Sequence, residues 1–289
     1  MELTHKVILD TDIGTDVDDA LALAVLLGSK DVDLLGITTV YGDTKLRAQI
    51  ALHLCLIAER EIPVFAGESM PLSGKDVWLS GAEGEDIEGL DRHLVSTNSG
   101  VDFMVGAVNA QPGQVDLMAI GPLTNIARAI ESSIEFMQNI KHLWIMGGDF
   151  SESKIEHNFK CDVTAAKKVL ESNIPITILD LPSAQKTIIR SKEINRIRNS
   201  GKLGPFLYAE IMKWIEPRNQ DWTIPHDPIA ILGCLQPAYF QLSNFGKVHI
   251  NPDGVSRWAE HPDGNVQLLL HKEPEKAVEK MIALLNALN

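Results

Sequence analysis

Short, continuous apolar runs recur along the chain, and this pattern constrains the fold more than any other feature of the sequence. The runs are rich in Val, Ile and Leu and lie at residues 7–9, 34–40, 64–66, 115–120, 143–146 and 176–179. A strand with one face in water alternates apolar and polar residues, whereas a continuous apolar run is typical of a strand buried on both faces. The sequence therefore predicts a mostly parallel sheet that is covered on both sides.

Segments with helical periodicity separate these runs. Residues 21–28, 45–60 and 126–134 place apolar side chains three or four positions apart, as one face of a helix requires. Repeated strand–helix units predict a doubly wound, Rossmann-like α/β fold with helices on both faces of the sheet. Because we find no low-complexity linker and no internal repeat, we expect one domain over residues 1–289.

An acidic run follows the first apolar run. Ligands of a doubly wound sheet bind beyond the carboxyl ends of its strands, so this is a candidate site. Asp18 and Asp19 alone fit the preference of a helix N-terminus for acids, but Asp10 and Asp12 stand at a strand end, where uncompensated charge is unfavourable. With Asp16, five carboxylates lie within ten residues. Their repulsion requires a cation, and oxygen ligands select a hard one, Ca²⁺ or Mg²⁺.

Two other classes of protein also carry acidic runs. An EF-hand is excluded, because no twelve-residue frame that starts at Asp10, Asp12 or Asp16 supplies both the central Gly and the terminal Glu. A magnesium-dependent phosphohydrolase of the haloacid dehalogenase type has an Asp-x-Asp motif after its first strand. That motif requires Thr or Val where this chain has Gly14, and no downstream acid pair matches it. The phosphohydrolase is therefore the less favoured alternative.

Charge and cysteine content restrict the partners and the compartment. The chain has 26 basic and 39 acidic residues and a net charge of -13, which argues against a nucleic-acid polymer as partner. Cys55, Cys161 and Cys234 lack the spacing of a disulfide framework or a zinc site, so we expect buried thiols. No apolar run approaches the ~20 residues of a membrane span, and the first residues lack the pattern of a secretion signal. We expect a cytoplasmic protein that does not bind membranes.

The acidic run and five later blocks resemble the motifs of the inosine-uridine preferring nucleoside hydrolases. The first block, at residues 10–23, reads DTDIGTDVDDALAL. The later blocks follow in the order of that family: 37–43 (ITTVYGD), 120–127 (IGPLTNIA), 146–148 (MGG), 156–159 (EHNF) and 226–228 (HDP). The resemblance covers most of the chain. It implies an enzyme that hydrolyses the bond between ribose and the nucleobase of a ribonucleoside.

The resemblance also implies a bound calcium ion. In that family, carboxylates from the first and last blocks and one backbone carbonyl hold the ion. By position in the motifs, the ligands here would be Asp12, Asp19, Asp227 and the carbonyl of Ile120. Family members often have Thr at the position of Ile120, but a carbonyl ligand tolerates that change. Ribose hydroxyls and one water would complete a coordination number of roughly eight.

The remaining site assignments follow from the reaction that the resemblance implies. Cleavage builds positive charge on the sugar, which nearby carboxylates stabilise. Asp12 would take a proton from the calcium-held water. His226 would protonate the departing base, since an unperturbed histidine pKa near ~6.5 permits donation around neutrality. Asp18, Glu156 and Asn158 would hold the ribose hydroxyls, which would disfavour deoxyribose.

Some positions depart from the family pattern. Asp43 stands where the best-known members have Asn, so a substrate contact there would be made by an acid. Asp16 belongs to two extra residues in the first block and is either a supporting acid of the site or an ordinary helix-end acid. Segment 149–155 is shorter than in those members, and the Asn that contacts the ribose 5′-hydroxyl has no match. Ser151 or Ser153 is the candidate replacement.

Two long polar segments, 68–98 and 149–160, are candidate lids because they interrupt the strand–helix pattern at the functional edge. Aromatic side chains near them are candidates for stacking on a nucleobase. For Trp78 and Trp222, stacking and plain packing are equal alternatives. Phe159 is expected to pack in the core.

A second class of function stays open at this point. A nucleoside or ribose sensor would keep the calcium pocket without turnover, but Asp12 and His226 count against it, because a binding protein needs no base beside the metal-held water. The sequence leaves the base preference open. The family resemblance implies a homodimer or a homotetramer.

Overall fold

The structure of the protein is a computed structural model that describes residues 5–151 and 154–288. In these ranges the strands are β1 (His5–Thr11), β2 (Val32–Thr39), β3 (Val64–Ala66), β4 (Val115–Ala119), β5 (His142–Met146), β6 (Ile176–Leu179), β7 (Ile189–Arg190), β8 (Trp222–Thr223), β9 (Phe240–Leu242), β10 (Gly246–Ile250), β11 (Ser256–Glu260) and β12 (Val266–His271). The helices are α1 (Asp18–Gly28), α2 (Thr44–Ile57), α3 (Gly100–Ala110), α4 (Thr124–Ser132), α5 (Ile134–Asn139), α6 (His157–Cys161), α7 (Val163–Leu170), α8 (Leu181–Ala184), α9 (Ser191–Arg198), α10 (Gly204–Ile215), α11 (His226–Leu235) and α12 (Pro274–Asn286). From β1 to α8 each strand is followed by one or two helices, as in repeated strand–helix units.

The main sheet has the strand order β11-β10-β12-β6-β5-β4-β1-β2-β3, and β9 pairs with β12 beside this path. In this order the neighbouring strands β12, β6, β5, β4, β1, β2 and β3 pair in parallel. Strands β9, β10 and β11 pair antiparallel. The chain runs outward from β1 to β3 and then returns to the other side of β1 as β4. Open α/β sheets bind ligands in the crevice at such a reversal, beyond the carboxyl ends of the strands. Here that crevice lies beyond Thr11 and Ala119.

Helices cover both faces of the sheet. One apolar cluster joins α1, α2 and α9 to α12 to the sheet, and a second joins α3, α4, α5 and α7. Along β1, Val7 and Leu9 belong to the first cluster and Ile8 to the second, because successive side chains of a strand point to opposite faces. Strands β4 and β6 are buried along their whole length. Two covered faces account for the continuous apolar runs in the sequence.

The predicted fold class, a mostly parallel sheet flanked by helices, is confirmed, and all six apolar runs form strands. The antiparallel part, from β9 to β11, has no counterpart in the sequence prediction. Its strands expose side chains to solvent: in β10 only Gly246 and Ile250, the first and last residues, are buried. A strand with one solvated face lacks the continuous apolar run on which the prediction relied.

The cysteines behave as expected from their spacing. Cys55, Cys161 and Cys234 are buried free thiols. Burial raises the pKa of Cys55 to about 12 and that of Cys161 to about 11, so both thiols are protonated at neutral pH. Within residues 5–151 and 154–288, no helix combines the length and the apolar character that crossing a bilayer requires.

Candidate active site

The buried side chain of Asp10 anchors the end of β1, from which the loop of residues 12–17, called the acidic loop below, continues to α1. Asp10 is fully buried and accepts hydrogen bonds from Thr38 Oγ1 and Asn125 Nδ2, each at 2.6 Å. Burial raises the pKa of Asp10 to about 7, and these two hydrogen bonds act against the shift. Asn125 also donates to the carbonyl of Thr39 at 3.1 Å, which ties the ends of β1 and β2 together. Asp10 therefore has a structural role, because its hydrogen bonds fix the strand end that precedes the site.

Three carboxylates meet where two helices begin. Asp18 and Asp19 open α1, and Asp227 lies in the first turn of α11, which packs against α1. Each offers one carboxylate oxygen, and these oxygens lie within 4.8 Å of one another. The hydroxyl of Thr11 donates a hydrogen bond to Asp19. Helix N-termini stabilise negative charge, so both helix dipoles favour this arrangement.

The electrostatics of this cluster fit a bound cation. Burial raises the pKa values of Asp18, Asp19 and Asp227 well above the ordinary value, and repulsion between neighbouring carboxylates raises them further. Burial also raises the pKa of Asp12, and the charge of Arg47 acts against that shift. A cation among these oxygens would favour their ionised forms. The donors are all oxygens, which suits Ca²⁺ or Mg²⁺.

The carbonyl of Ile120, the predicted backbone ligand, lies at the end of β4 beside the acidic loop. It accepts a hydrogen bond from Asn158 Nδ2 at 2.8 Å. A carbonyl oxygen has two lone pairs, so this bond leaves one for a cation. A Cβ at Gly121 would lie 2.8 Å from Asp12 Oδ1. Glycine therefore allows the chain after β4 to approach Asp12.

The backbone fixes the orientation of Glu156 and Asn158. The Glu156 carboxylate caps α6 by accepting hydrogen bonds from the N–H groups of Asn158 (2.7 Å), Phe159 (3.0 Å) and Gly148 (2.9 Å). Burial raises the pKa of Glu156, and these hydrogen bonds act against the shift. Asn158 Nδ2 also lies 3.2 Å from the carbonyl of Met146. Both side chains are therefore held in place by the protein itself.

His226 is the first residue of α11 and faces the same space. Its Nδ1 atom is buried and has no hydrogen-bond partner among the described residues. Burial lowers the pKa of His226 to about 4, so the ring is neutral at pH 7. The expectation of an ordinary histidine pKa is therefore not met, because the sequence does not reveal how far the ring is withdrawn from water. A neutral imidazole still donates one hydrogen bond.

These side chains line a single cavity of about 390 Å³ at the crevice beyond β1 and β4. This volume lies within the range of small-molecule sites, roughly 300–1,000 Å³. The lining residues are Asp12, Thr15, Asp16, Asp18, Asp19, Trp78, Ile120, Met146, Ile155, Glu156, His157, Asn158, Leu181, Trp214, His226 and Asp227. The cavity combines a carboxylate cluster with apolar and aromatic side chains, so it suits a ligand with a polar and an aromatic part.

The structure brings together eight of the nine residues predicted to form the site. They are Asp12, Asp18, Asp19, Ile120, Glu156, Asn158, His226 and Asp227. One detail differs from the predicted ligand set, because Asp18, rather than Asp12, joins Asp19 and Asp227 in the cluster within 4.8 Å. Asp16 also lines the cavity, and burial raises its pKa to about 7.

Asp43 is the ninth predicted residue, and the structure places it elsewhere. Its side chain is exposed, accepts a hydrogen bond from the N–H of Leu46 at 2.9 Å and does not line the cavity. Asp43 is the N-cap of α2, and acids are favoured at that position for local reasons. The expectation that Asp43 contacts the substrate is corrected accordingly.

Among the aromatic and serine candidates that the structure describes, one lines the cavity and the others do not. Trp78 lines the cavity, whereas Trp222 lies in β8 and does not. Phe159 is fully buried in the second apolar cluster, as expected for a packing residue. Ser151 donates to Asp149 Oδ1 at 2.6 Å and is not a lining residue. Ser153 lies outside the described residues.

Several lining residues were not singled out from the sequence. His157 lies inside the EHNF block, so its position between two predicted residues was an available signal. Its ring contacts Trp78 edge-on, with centroids 5.6 Å apart. Trp214 comes from α10, which has no family motif, and only the folded chain brings it to the cavity. The guanidinium of Arg218 lies 3.4 Å from the centroid of the Trp214 ring.

Comparison with known proteins defines the family. Residues 7–280 match the family described as "Inosine-uridine preferring nucleoside hydrolase". The match covers most of the chain, and the chain therefore belongs to this family of enzymes. Membership supports hydrolysis of the N-glycosidic bond of ribonucleosides.

Individual relatives agree with this assignment. The chain is 29% identical over 278 residues to "Probable uridine nucleosidase 2" of Oryza sativa subsp. japonica, covering 88% of this chain and 80% of the relative. It is 28% identical over 264 residues to "Pyrimidine-specific ribonucleoside hydrolase RihB" of Escherichia coli O9:H4 (strain HS), covering 87% and 80%. The solved structure of the plant nucleoside hydrolase PpNRh1 superposes with a TM-score of 0.87 at 23% identity, covering 98% and 99% of the two chains. That likeness supports the fold.

Proposed function

We propose that the protein hydrolyses the N-glycosidic bond of ribonucleosides with the help of calcium, releasing ribose and a free nucleobase. The observation that carries this proposal is the cavity beyond β1 and β4, whose wall holds the three carboxylate oxygens within 4.8 Å of one another. Glu156, Asn158 and His226 share that cavity. One small ligand in this cavity could thus contact a bound cation, the polar groups of Glu156 and Asn158, and His226.

We propose Asp12, Asp19, Asp227 and the carbonyl of Ile120 as the calcium ligands. Asp19 and Asp227 belong both to this set and to the cluster in the structure, and Asp18 is the alternative third carboxylate. When bound, calcium supplies Lewis acidity, which lowers the pKa of a coordinated water. The family resemblance, rather than the geometry, favours calcium over magnesium, because all-oxygen ligands suit both ions.

The carboxylate of Asp12 is the proposed general base that takes the proton of the attacking water. Positive charge develops on the ribose as the bond to the base breaks, and the surrounding carboxylates stabilise it. Asp18, Glu156 and Asn158 are the proposed partners of the ribose hydroxyls. A deoxyribonucleoside would leave some of these buried groups unpaired, so it should react more slowly.

The departing base is proposed to lie between His226 and the aromatic part of the cavity. The neutral ring of His226 donates a hydrogen bond to the base as it leaves and stabilises its negative charge. Trp78 and Trp214 offer rings on which a planar base can stack. The names of the rice and E. coli relatives concern uridine and pyrimidine ribonucleosides. Uridine is therefore the first substrate to test.

The remaining expectations from the sequence are also proposals. They are one domain over residues 1–289, a cytoplasmic location, and a homodimer or homotetramer. The family match over residues 7–280 supports one domain, the acidic composition is typical of cytosolic proteins, and the family resemblance implies the oligomer.

The proposed function is tested by incubating purified protein and calcium with uridine, cytidine, inosine, adenosine, guanosine and their deoxy forms, and measuring free ribose. We expect ribose from at least one ribonucleoside. Asp12→Asn should lower kcat by roughly 10²–10⁴-fold, the usual contribution of a general base. The matched control is Asp43→Asn, which keeps a helix cap outside the cavity and should retain near-normal turnover.

Two results would contradict the proposal. Near-normal turnover by Asp12→Asn would remove Asp12 from the mechanism. A folded wild-type protein that binds nucleosides but releases no ribose would favour the sensor function.

A further inference from the structure

Arg47 is a buried cation that contacts the acidic loop. Its side chain lies on α2 and is 1% exposed, and it is among the largest fully buried side chains of the described residues. A guanidinium is costly to bury unless its N–H donors find acceptors. The positions of those acceptors therefore indicate what the residue does.

The acceptors of Arg47 belong to two neighbouring segments. Nε donates to the carbonyl of Tyr41 at 2.7 Å, just beyond β2. Nη1 donates to the carbonyls of Asp12 and of Ile13, the latter at 2.9 Å. Nη1 and Nη2 lie 3.3 and 3.2 Å from Thr15 Oγ1. The planar guanidinium thus joins the end of β2 to the loop that carries Asp12.

These contacts leave the Asp12 carboxylate available. Arg47 binds the main-chain carbonyl of Asp12, and each of its other acceptors is also a carbonyl or a hydroxyl. An arginine whose role was to neutralise Asp12 would pair with the carboxylate itself. Arg47 instead fixes the backbone from which that carboxylate projects into the cavity.

Other contacts hold the same loop from two sides. Gly14 has φ +116°, and a Cβ there would lie 2.8 Å from Cδ1 of Ile50, one turn after Arg47 on α2. On the other side, Thr15 Oγ1 donates to Glu83 Oε1 at 3.1 Å. The loop is therefore packed between α2 and the segment around Glu83. Arg47 is its hydrogen-bonded attachment to α2.

We propose that Arg47 is a positioning residue, which fixes Asp12 and the loop around Thr15 for cation binding and for proton transfer. The proposal rests on the proposed function for the proton-transfer part, whereas the cation-binding part stands independently. Lysine cannot replace arginine here. A single ammonium group lacks the several coplanar N–H donors with which the guanidinium reaches the carbonyl of Tyr41 and the acidic loop at the same time.

Arg47→Lys tests the proposal, since it keeps the charge and removes the fork. Calcium affinity is measured by titration calorimetry on metal-free protein, and kcat and KM are measured with uridine at saturating calcium. We expect the calcium Kd to rise and kcat to fall, each by roughly 10–100-fold, as for other partners that orient metal ligands. KM should change less than about threefold, because the lost interaction acts mainly in the transition state.

The matched control is Leu54→Ala, which removes a fully buried side chain of the same helix that is not part of the cavity wall. It should lower Tm while leaving the calcium Kd and kcat close to wild type. If Arg47→Lys does not fold, Thr15→Val removes one guanidinium acceptor and should change both constants in the same direction by a smaller factor.

The proposal is overturned if Arg47→Lys, or Thr15→Val in its place, keeps both constants within about twofold of wild type. It is also overturned if Leu54→Ala loses calcium affinity and kcat as strongly as Arg47→Lys, since the effect would then be one of general stability. If wild-type protein binds calcium but hydrolyses no nucleoside, the proposed function fails. The calcium titration of Arg47→Lys still decides whether Arg47 positions the loop.

Discussion

Burial governs the chemistry of the individual side chains in the cavity. The carboxylates of Asp18, Asp19 and Asp227 are withdrawn from water and repel one another, so their pKa values are raised. Exposed acids at a helix N-terminus would keep ordinary values and would not need a counter-ion. The combination of burial and proximity is therefore what makes these residues a candidate cation site.

Substitution of single carboxylates distinguishes metal ligands from ribose contacts. If Asp12 binds calcium and Asp18 binds ribose, Asp12→Asn should weaken calcium binding without nucleoside by more than about tenfold, given that even outer partners cost roughly 10–100-fold. Asp18→Asn should leave that affinity nearly unchanged and raise KM for uridine. Titration calorimetry measures both variants. The reverse pattern would place Asp18 in the coordination set instead of Asp12.

His226 is tested by the choice of leaving group. His226→Ala should lower kcat for uridine by roughly 10²–10³-fold, because the departing base loses the hydrogen bond that stabilises its negative charge. Hydrolysis of p-nitrophenyl riboside should fall far less, since nitrophenolate is a stable anion that leaves without a hydrogen bond from His226. Steady-state kinetics with the two substrates provide the comparison. An equal loss with both would show that His226 positions the substrate and does not stabilise the departing base.

At the scale of residues, the sequence predicted which residues form the site better than it predicted their burial and pKa values. The acidic run and the HDP block were sufficient to select Asp12, Asp19 and Asp227, which the structure brings to one cavity. Asp43 shows the limit, because a helix cap and a substrate contact look alike in a sequence when both follow a strand. The lowered pKa of His226 also depends on surroundings that the sequence does not show.

At the scale of elements, the site depends on how the ends of strands are joined. Asn125, on α4, donates to Asp10 near the end of β1 and to the carbonyl of Thr39, the last residue of β2. Its Oδ1 atom accepts a hydrogen bond from the N–H of Glu68 at 2.8 Å, beyond the third. One buried amide thus connects the ends of β1 and β2 to the chain just after β3. The crevice keeps its shape because these ends are held together.

Asn125→Ala should therefore destabilise the whole fold. Three hydrogen bonds would be lost, one of them to the carboxyl group of Asp10. Hydrogen bonds contribute about 0.5–1.5 kcal/mol each, or about 1.5–3 kcal/mol with a charged partner, so we expect a loss of about 3 kcal/mol in the free energy of unfolding. Urea denaturation measures it. The control is Asn98→Ala, an exposed loop position that should change stability by no more than about 0.5 kcal/mol. Equal effects of the two substitutions would contradict the role given to Asn125.

The elements themselves were predictable where burial is uniform. Most residues of β1 to β6 are buried, and their short apolar runs between turn residues predict strands covered on both faces. Helix α10, which carries Trp214 to the cavity, is an ordinary amphipathic helix whose sequence says nothing about which side chain reaches a site. Contacts of that kind depend on tertiary packing, which local patterns do not encode.

At the scale of the whole molecule, the reversal of strand order between β1 and β4 determines where the site lies. Asp12 follows β1, Ile120 follows β4, and α11 brings His226 and Asp227 from about a hundred residues farther along the chain. The long segments 68–98 and 149–160 contribute Trp78 and Ile155 to the cavity wall. The family motifs are dispersed in sequence because the sheet collects them at one edge.

The most direct test of calcium-dependent nucleoside hydrolysis is one reaction followed in three stages. Purified protein is incubated with uridine and calcium while free ribose is measured, then a chelator is added, and then an excess of calcium, or of magnesium in a parallel sample, is supplied. We predict ribose release that stops with the chelator and resumes with calcium. Ribose release that continues in the chelator, or that only magnesium restores, would contradict the calcium site, and the absence of ribose from every nucleoside tested would contradict the hydrolase.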